Sequence, residues 1–137
     1  MKKALLILAL CSTPVFAALA QQPQEEPDIY DIVEKETERL QGLLDLEDWQ
    51  DFYVDSTLMH NFPQMQQEME KLQKARVGNT SIYISIQDKW MEATDRSYEK
   101  FFTPQQWKKY LKSGAERAQK QRDKRKGIIE KKEKNKK

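Results

Sequence analysis

The chain has 137 residues, of which 34% are charged and 38% hydrophobic, and its formal net charge is +2. This length allows one small domain, and the nearly balanced charge argues against a general nucleic-acid-binding protein. Cys11 is the single cysteine, so no disulfide within the chain can stabilise the fold.

The start of the chain, residues 1–20, has the pattern of a Sec-type signal peptide. A lysine pair is followed by an apolar stretch at 4–10, and Ala18 and Ala20 supply the small residues of a cleavage site. The apolar stretch is shorter than the roughly 20 residues that span a bilayer. We therefore expect cleavage after Ala20, no stable membrane insertion afterwards, and a periplasmic or secreted mature protein. A lipoprotein modified at Cys11 is the alternative, which the large residue before that cysteine disfavours.

Composition divides the remaining chain. Residues 21–27 are polar and contain proline, which indicates a short flexible leader. Residues 28–119 contain the helical patterns and are the predicted helical domain, and residues 120–137 form a basic tail. The charge changes sign along the sequence, because residues 21–107 contain 8 basic and 18 acidic residues whereas residues 108–137 contain 14 and 4. The basic end is either a solubilising segment or a binding site for anionic lipid headgroups, acidic polypeptides or the acidic half of a second copy.

Two aspartates are N-cap candidates for helices in the first half of the chain. Asp28 precedes apolar residues at mostly helical spacing, and Asp45 can accept hydrogen bonds from the free N–H groups of a second helix. The apolar face predicted for the second helix consists of Leu46, Trp49, Phe52, Tyr53, Ser56 and Met59, widened by Val54, Leu58 and Phe62. The solvated face opposite contains Asp48, Asp51 and Asp55.

Asn61 and Pro63 are predicted to end the second helix, because proline cannot continue an interior hydrogen-bond ladder. A third helix follows, with Met65 and Met69 on its inner face, and Gly78-Asn79 ends it.

Residues 80–86 alternate in the manner of a strand, yet a helical ladder with i+4 spacing also begins there. An isolated strand leaves its backbone groups without partners, and no second strand is predicted, so the sequence favours a helix to about Lys100. Thr103 as N-cap and Pro104 in the first turn open the last helix. The predicted fold is all-α, with about five amphipathic helices joined by short turns.

Candidate catalytic groups are few. His60 is the only histidine, and no cysteine remains in the mature chain to complete a zinc site. The carboxylates of Asp45, Asp48, Asp51 and Asp55 could hold calcium or act in acid–base catalysis, but any solvated helical face produces the same spacing. The sequence predicts no enzyme, no metal site and no cofactor.

Apolar and basic side chains are the candidates for partner binding. Trp49, Trp90 and Trp107 lie on the apolar faces of three different predicted helices, where they are either core anchors or exposed contact residues. The flexible methionine candidates are Met59, Met65 and Met69. The basic candidates in the tail are Lys124, Arg125 and Lys126.

Two short segments open predicted helices with a shared pattern. Leu46-Glu47-Asp48-Trp49-Gln50 and Phe102-Thr103-Pro104-Gln105-Gln106 each begin with a large apolar residue and end in glutamine. The pattern resembles the paired leucine-threonine-x-x-glutamine motif of the Spy/CpxP family of small periplasmic helical proteins. Glu47 stands where the family has threonine, and Phe102 replaces leucine. The matched positions are Leu46, Gln50, Phe102, Thr103, Pro104 and Gln106.

The resemblance implies a cradle-like antiparallel homodimer in the periplasm that acts without ATP, either by holding unfolded proteins or by sensing envelope stress. The matched positions would shape the helix starts and would not be catalytic. The expected function is therefore an ATP-independent chaperone or stress-response accessory, with unfolded or envelope proteins as partners. The alternative is a non-catalytic interaction subunit that binds one specific envelope partner through its basic tail and an apolar groove. A carboxylate-dependent hydrolase ranks last.

Overall fold

The computed structural model describes residues 28–135. The predicted signal peptide, 1–20, and the predicted leader, 21–27, lie outside the described residues. The described chain folds into five α-helical segments, which are α1 (Ile29–Leu44), α2 (Asp48–Lys74), α3 (Thr80–Phe101), α4 (Pro104–Tyr110) and α5 (Glu116–Lys134). Residues 28–135 contain no strand, so the all-α prediction is confirmed, as is the helical choice at 80–86.

The helix ends follow the side chains that can satisfy free backbone groups. Asp28 accepts a hydrogen bond from the Tyr30 N–H at the start of α1, and Thr103 accepts one from the Gln106 N–H at the start of α4. Asp45, predicted as the cap of the second helix, instead ends α1 in the left-handed conformation, with φ of 53°. Short polar side chains tolerate that conformation better than most.

Pro63 does not break the second helix, so that prediction is wrong: α2 is one helix of 27 residues that contains the predicted second and third helices. An interior proline costs about 3 kcal/mol of helix stability. Packing of α2 against both α1 and α3 offsets this loss, since Leu58 and Asn61, just before the proline, are buried.

The chain is kinked between α4 and α5, at Leu111–Ala115, where the helical backbone is interrupted. Gly114 lies within this segment and has φ of 119°, which a residue with a side chain rarely adopts. The non-helical backbone at Gly114 lets α5 leave α4 in a new direction.

The core lies where α1, the first half of α2, the end of α3 and α4 meet. Its buried hydrophobic residues are Val33, Leu40, Leu44, Leu46, Val54, Leu58, Tyr98, Phe102 and Tyr110. The aromatic members are in direct contact, with ring centroids of Tyr98 and Phe102 separated by 5.0 Å and those of Tyr98 and Tyr110 by 5.5 Å. Such contacts add stability beyond the buried area.

The buried face of α2 differs from the predicted one. Gln50, Val54, Leu58 and Asn61 face the core, whereas Trp49, Phe52 and Tyr53 are exposed. Two of the buried residues are polar, and both are hydrogen bonded: Gln50 to Gln106 and Asn61 to the Thr94 hydroxyl. The apolar pattern alone therefore misplaces the face, because the core of this protein includes satisfied amides.

The described part of the basic tail is helical and docks on α3 through ion pairs. Asp95 with Arg122, Asp88 with Arg125 and Glu92 with Lys126 form three successive pairs. Arg122 is only 7% exposed, so this part of the segment is held against the body of the protein and is not merely solvated.

Removal of the hydroxyl group from two core tyrosines, Tyr98 and Tyr110, should change the free energy of unfolding in opposite directions. Burial raises the pKa of both Tyr98 and Tyr110 above the usual value, so both hydroxyls stay protonated at neutral pH. The Tyr98 hydroxyl is buried with no hydrogen-bond partner among the described residues, whereas that of Tyr110 donates to Asp95 Oδ1 at 2.6 Å. We expect Tyr98→Phe to raise the free energy of unfolding by about 1 kcal/mol and Tyr110→Phe to lower it by about 2 kcal/mol in urea titrations. Equal losses in both variants would show that Tyr98 is hydrogen bonded after all.

Candidate functional site

The two motif glutamines meet at the junction between the starts of α2 and α4. Gln50 Nε2 donates to Gln106 Oε1 at 2.7 Å, and Gln106 Nε2 donates back to Gln50 Oε1 at 2.9 Å. Gln50 Nε2 also donates to the Phe101 carbonyl oxygen at 2.9 Å, at the end of α3. The amide pair thus links three helix ends at one point.

Each glutamine also caps its own helix. Gln50 Oε1 accepts a hydrogen bond from the Glu47 N–H at 3.0 Å, and Gln106 Oε1 accepts one from the Thr103 N–H at 2.9 Å. Gln106 and Thr103 form a complete reciprocal capping box, since the Gln106 N–H donates to the Thr103 hydroxyl oxygen at 3.2 Å. The two motif copies therefore have equivalent positions on α2 and α4.

The other motif residues surround this junction. Leu46 and Phe102, which begin the two copies, are 4% and 7% exposed and belong to the core. Pro104 occupies the first turn of α4, where its missing N–H costs nothing. These residues are engaged in packing and hydrogen bonding.

Three rings on α2 form an exposed aromatic patch next to this junction. Trp49, Phe52 and Tyr53 are 48%, 66% and 52% exposed. Their rings touch edge to face, with Tyr53 6.1 Å from Trp49 and 5.9 Å from Phe52, and Tyr53 also lies 5.7 Å from Phe101. The aromatic patch is therefore joined to the aromatic core through the contact between Tyr53 and Phe101.

An apolar groove lies between the start of α1 and the second half of α2. We call it the methionine groove, and it has a volume of about 640 Å³. Its apolar lining consists of Ile29, Ile32, Phe62, Met65 and Met69. Met65 and Met69 were predicted to face inward, but both line the groove and are half-buried.

The remaining tryptophan and methionine candidates are dispersed. Trp107 is half-buried, with its ring centroid 5.4 Å from that of Tyr110, and Met59 packs at the edge of the core. Trp90 is also half-buried and lies at the α2–α3 contact, with its ring 6.4 Å from that of His60. The structure therefore does not bring the predicted partner-binding residues together as one site.

The basic candidates of the tail have different environments. Arg125 makes two hydrogen bonds with the Asp88 carboxylate, at 2.6 and 2.7 Å, and Lys126 pairs with Glu92. The Lys126 ammonium lowers the pKa of Glu92. Lys124 and Lys126 are both exposed, whereas Arg125 is half-buried.

Sequence reasoning missed the exposure of Phe52 and Tyr53. The spacing of the aromatic residues on α2 is equally compatible with a buried face. The one available signal was Gln50, because the N3 glutamine of a capping box fixes which side of the helix faces the preceding turn.

No described helix is both long enough and apolar enough to cross a bilayer. Comparisons with protein-family models, with curated proteins and with solved structures find no match to this chain.

Proposed function

We propose that the mature chain is an exported, ATP-independent chaperone or envelope-stress accessory that binds unfolded or partner proteins through exposed apolar surfaces. On this proposal the protein acts by binding and not by catalysis.

The aromatic patch is the observation that carries the proposal. Three adjacent aromatic side chains, each about half exposed or more, are a costly arrangement unless something covers them. Unfolded chains expose apolar residues, and rigid aromatic rings contact such segments with little loss of conformational entropy. Glu47 and Asp48 are exposed beside Trp49 at the start of α2, and their charge favours solubility of the free protein.

The paired motifs support the same proposal. Their glutamines and large apolar residues are all used to join helix ends, which agrees with the shape-determining role that the resemblance to the Spy/CpxP family implies. The aromatic patch begins at Trp49, inside the first motif copy, so the junction that holds the helices together also positions the patch.

The second candidate function is an interaction subunit for one envelope partner. The methionine groove favours it, because a concave apolar site of this size accommodates a helix or an extended segment of one partner. This second function predicts one stoichiometric partner in a pull-down from envelope extracts and little effect on the aggregation of unrelated proteins.

Aggregation of an unfolding protein, followed by light scattering with no nucleotide, tests the proposal. Residues 21–137 in several-fold excess should suppress aggregation, and Trp49→Ala/Phe52→Ala should remove most of the suppression. The matched control is Ile128→Ala/Ile129→Ala, which shortens two other exposed apolar side chains on α5 and should behave as the unmodified protein. Weaker suppression at moderate salt would show that charge assists capture. No suppression at either salt concentration would contradict the chaperone proposal and favour the single-partner subunit.

A further inference from the structure

A second groove between α1 and α2 is lined by a different stripe of α1 from the one that forms the methionine groove. It has a volume of about 590 Å³, and we call it the acidic groove. Its four carboxylates belong to Glu34, Glu38, Asp51 and Asp55. Asp51 and Asp55 were predicted to face solvent, but both are half-buried.

The carboxylates of the acidic groove have no cationic partner among the described residues. The ion pairs of residues 28–135 involve other acids, and the nearby Arg39 binds Glu36 through two hydrogen bonds. Four like charges along one groove create a negative potential that attracts a positively charged ligand.

Three buried oxygen atoms in the same groove lack hydrogen-bond donors. They are Thr37 Oγ1, Gln41 Oε1 and Asp51 Oδ1. Thr37 is the most informative of them, because it is only 8% exposed and its hydroxyl is unpartnered.

Three other hydroxyl groups within the helices are satisfied locally. The side chains of Ser85, Thr94 and Ser97 each donate to the carbonyl oxygen four residues earlier. Thr37 makes no such bond, and Gln41 commits its Nε2 to the Leu46 carbonyl at 3.0 Å, which leaves its oxygen without a donor. Buried acceptors without donors are unfavourable, so a ligand rich in N–H groups would relieve a cost that the free protein bears.

The groove geometry distinguishes between classes of cation. No three histidine, cysteine, aspartate or glutamate side chains of the described residues are grouped closely enough to hold a metal ion. The lining also includes the apolar surfaces of Tyr30, Val33 and Met59. A ligand that matches both the acidic and the apolar lining carries ammonium or guanidinium groups next to apolar ones.

We infer that the acidic groove binds a polypeptide segment in which lysine or arginine alternates with apolar side chains. This inference rests on the proposed function and deepens it, by assigning the chemistry of the bound segment. The ammonium or guanidinium groups pair with the groove carboxylates and donate to the three unpartnered oxygens, while the apolar side chains contact Tyr30 and Met59.

The segment comes from another protein and not from the basic tail of a second copy. Arg122, Arg125 and Lys126 already pair with carboxylates of α3. These three residues of a second copy would have to leave their own α3 carboxylates before they could enter the groove, and the rest of the tail does not alternate basic with apolar residues.

Fluorescence anisotropy with labelled peptides tests the inference on residues 21–137. The probe is a short peptide of alternating lysine and leucine, and the comparison peptide has glutamate in place of lysine. The groove variant Glu34→Gln/Glu38→Gln changes two exposed residues of α1, and the control Glu99→Gln/Glu130→Gln removes the same charge outside the groove. We expect the Kd of the basic peptide to rise about tenfold in the groove variant and to stay unchanged in the control.

Thr37→Val provides a second, independent readout. Valine has nearly the shape of threonine without the hydroxyl, so thermal stability should stay the same or rise as the unpartnered oxygen is removed. Affinity for the basic peptide should nevertheless fall several-fold. A stability gain together with weaker binding is the signature of a ligand site and not of a merely structural residue.

Several results would overturn the inference. Equal Kd values for the groove variant and the unmodified protein would do so, as would tighter binding of the glutamate peptide. Calorimetry in which Ca²⁺ or spermidine alone binds at least as tightly as the peptide would assign the groove to a small cation. Salt-sensitive self-association that is lost in the groove variant would assign it to a second copy.

The outcome is separable from that of the chaperone test. If the groove variant suppresses aggregation as well as the unmodified protein does, the proposed function stands, but the acidic groove is not where the unfolded protein binds. Groove-dependent binding of the basic peptide without suppression of aggregation would reject the chaperone function and support the acidic groove as a basic-segment site.

Discussion

Gln50→Ala should lower the free energy of unfolding by about 3–4 kcal/mol, one of the two largest effects expected from a single substitution in this protein. Gln50 is 1% exposed and makes hydrogen bonds to the Gln106 amide, to the Phe101 carbonyl and to the Glu47 N–H. Truncation leaves these buried groups without partners and opens a cavity, and both effects add to the loss. Chemical denaturation of residues 21–137 followed by circular dichroism measures the change.

Gln105→Ala is the matched control, because this neighbouring glutamine is exposed. Its effect should stay within about 0.5 kcal/mol. Gln106→Ala should be nearly as harmful as Gln50→Ala, and the double variant should cost much less than the two single losses added together, since either truncation already breaks the reciprocal pair. Additive losses would show that the two amides act independently and would contradict the junction described above.

Asp95→Asn is the second large effect, with an expected loss of about 3 kcal/mol. Asp95 is 6% exposed and accepts hydrogen bonds from Tyr110, from Gln119 at 3.1 Å and from the guanidinium of Arg122. Asparagine preserves the shape but leaves the buried Arg122 charge without a counter-charge. Because Asp95 accepts hydrogen bonds from both Gln119 and Arg122 of α5, amide hydrogen exchange in α5 should accelerate in this variant more than exchange in α1.

Asp123→Asn removes the same charge from an exposed position on α5 and should leave both stability and exchange unchanged. The pair Asp95→Leu/Arg122→Met offers a further check, because an apolar replacement of both partners avoids the uncompensated charge and should recover much of the lost stability. If Asp95→Asn unfolded no more readily than Asp123→Asn, the buried ion pair would not hold α5 in place.

Local chemistry made several features of this fold predictable. Asp28 and Thr103 satisfy helix-start N–H groups within a few residues of themselves, so the sequence alone locates those starts. The helix at 80–86 was predictable by elimination, because a strand there would lack a partner. Such inferences need only the neighbouring residues.

Features set by distant contacts were not predictable. The continuity of α2 through Pro63 depends on packing against α1 and α3, and the buried face of α2 depends on a glutamine more than fifty residues away. The position of Arg122 is equally non-local, since a basic residue in a polar tail ordinarily faces water. The acidic groove escaped prediction because its carboxylates come from two helices whose relative rotation the pattern leaves open.

Binding selectivity for the unfolded state is the most direct test of the proposed function. The binding partner is a disulfide-containing protein prepared in two forms, one native and one kept unfolded by reduction of its disulfides. Each form is titrated against residues 21–137 by calorimetry with no nucleotide present. We expect binding of the unfolded form, loss of most of that binding in Trp49→Ala/Phe52→Ala, and no detectable binding of the native form. Equal binding of both forms, or binding of neither, would contradict the account.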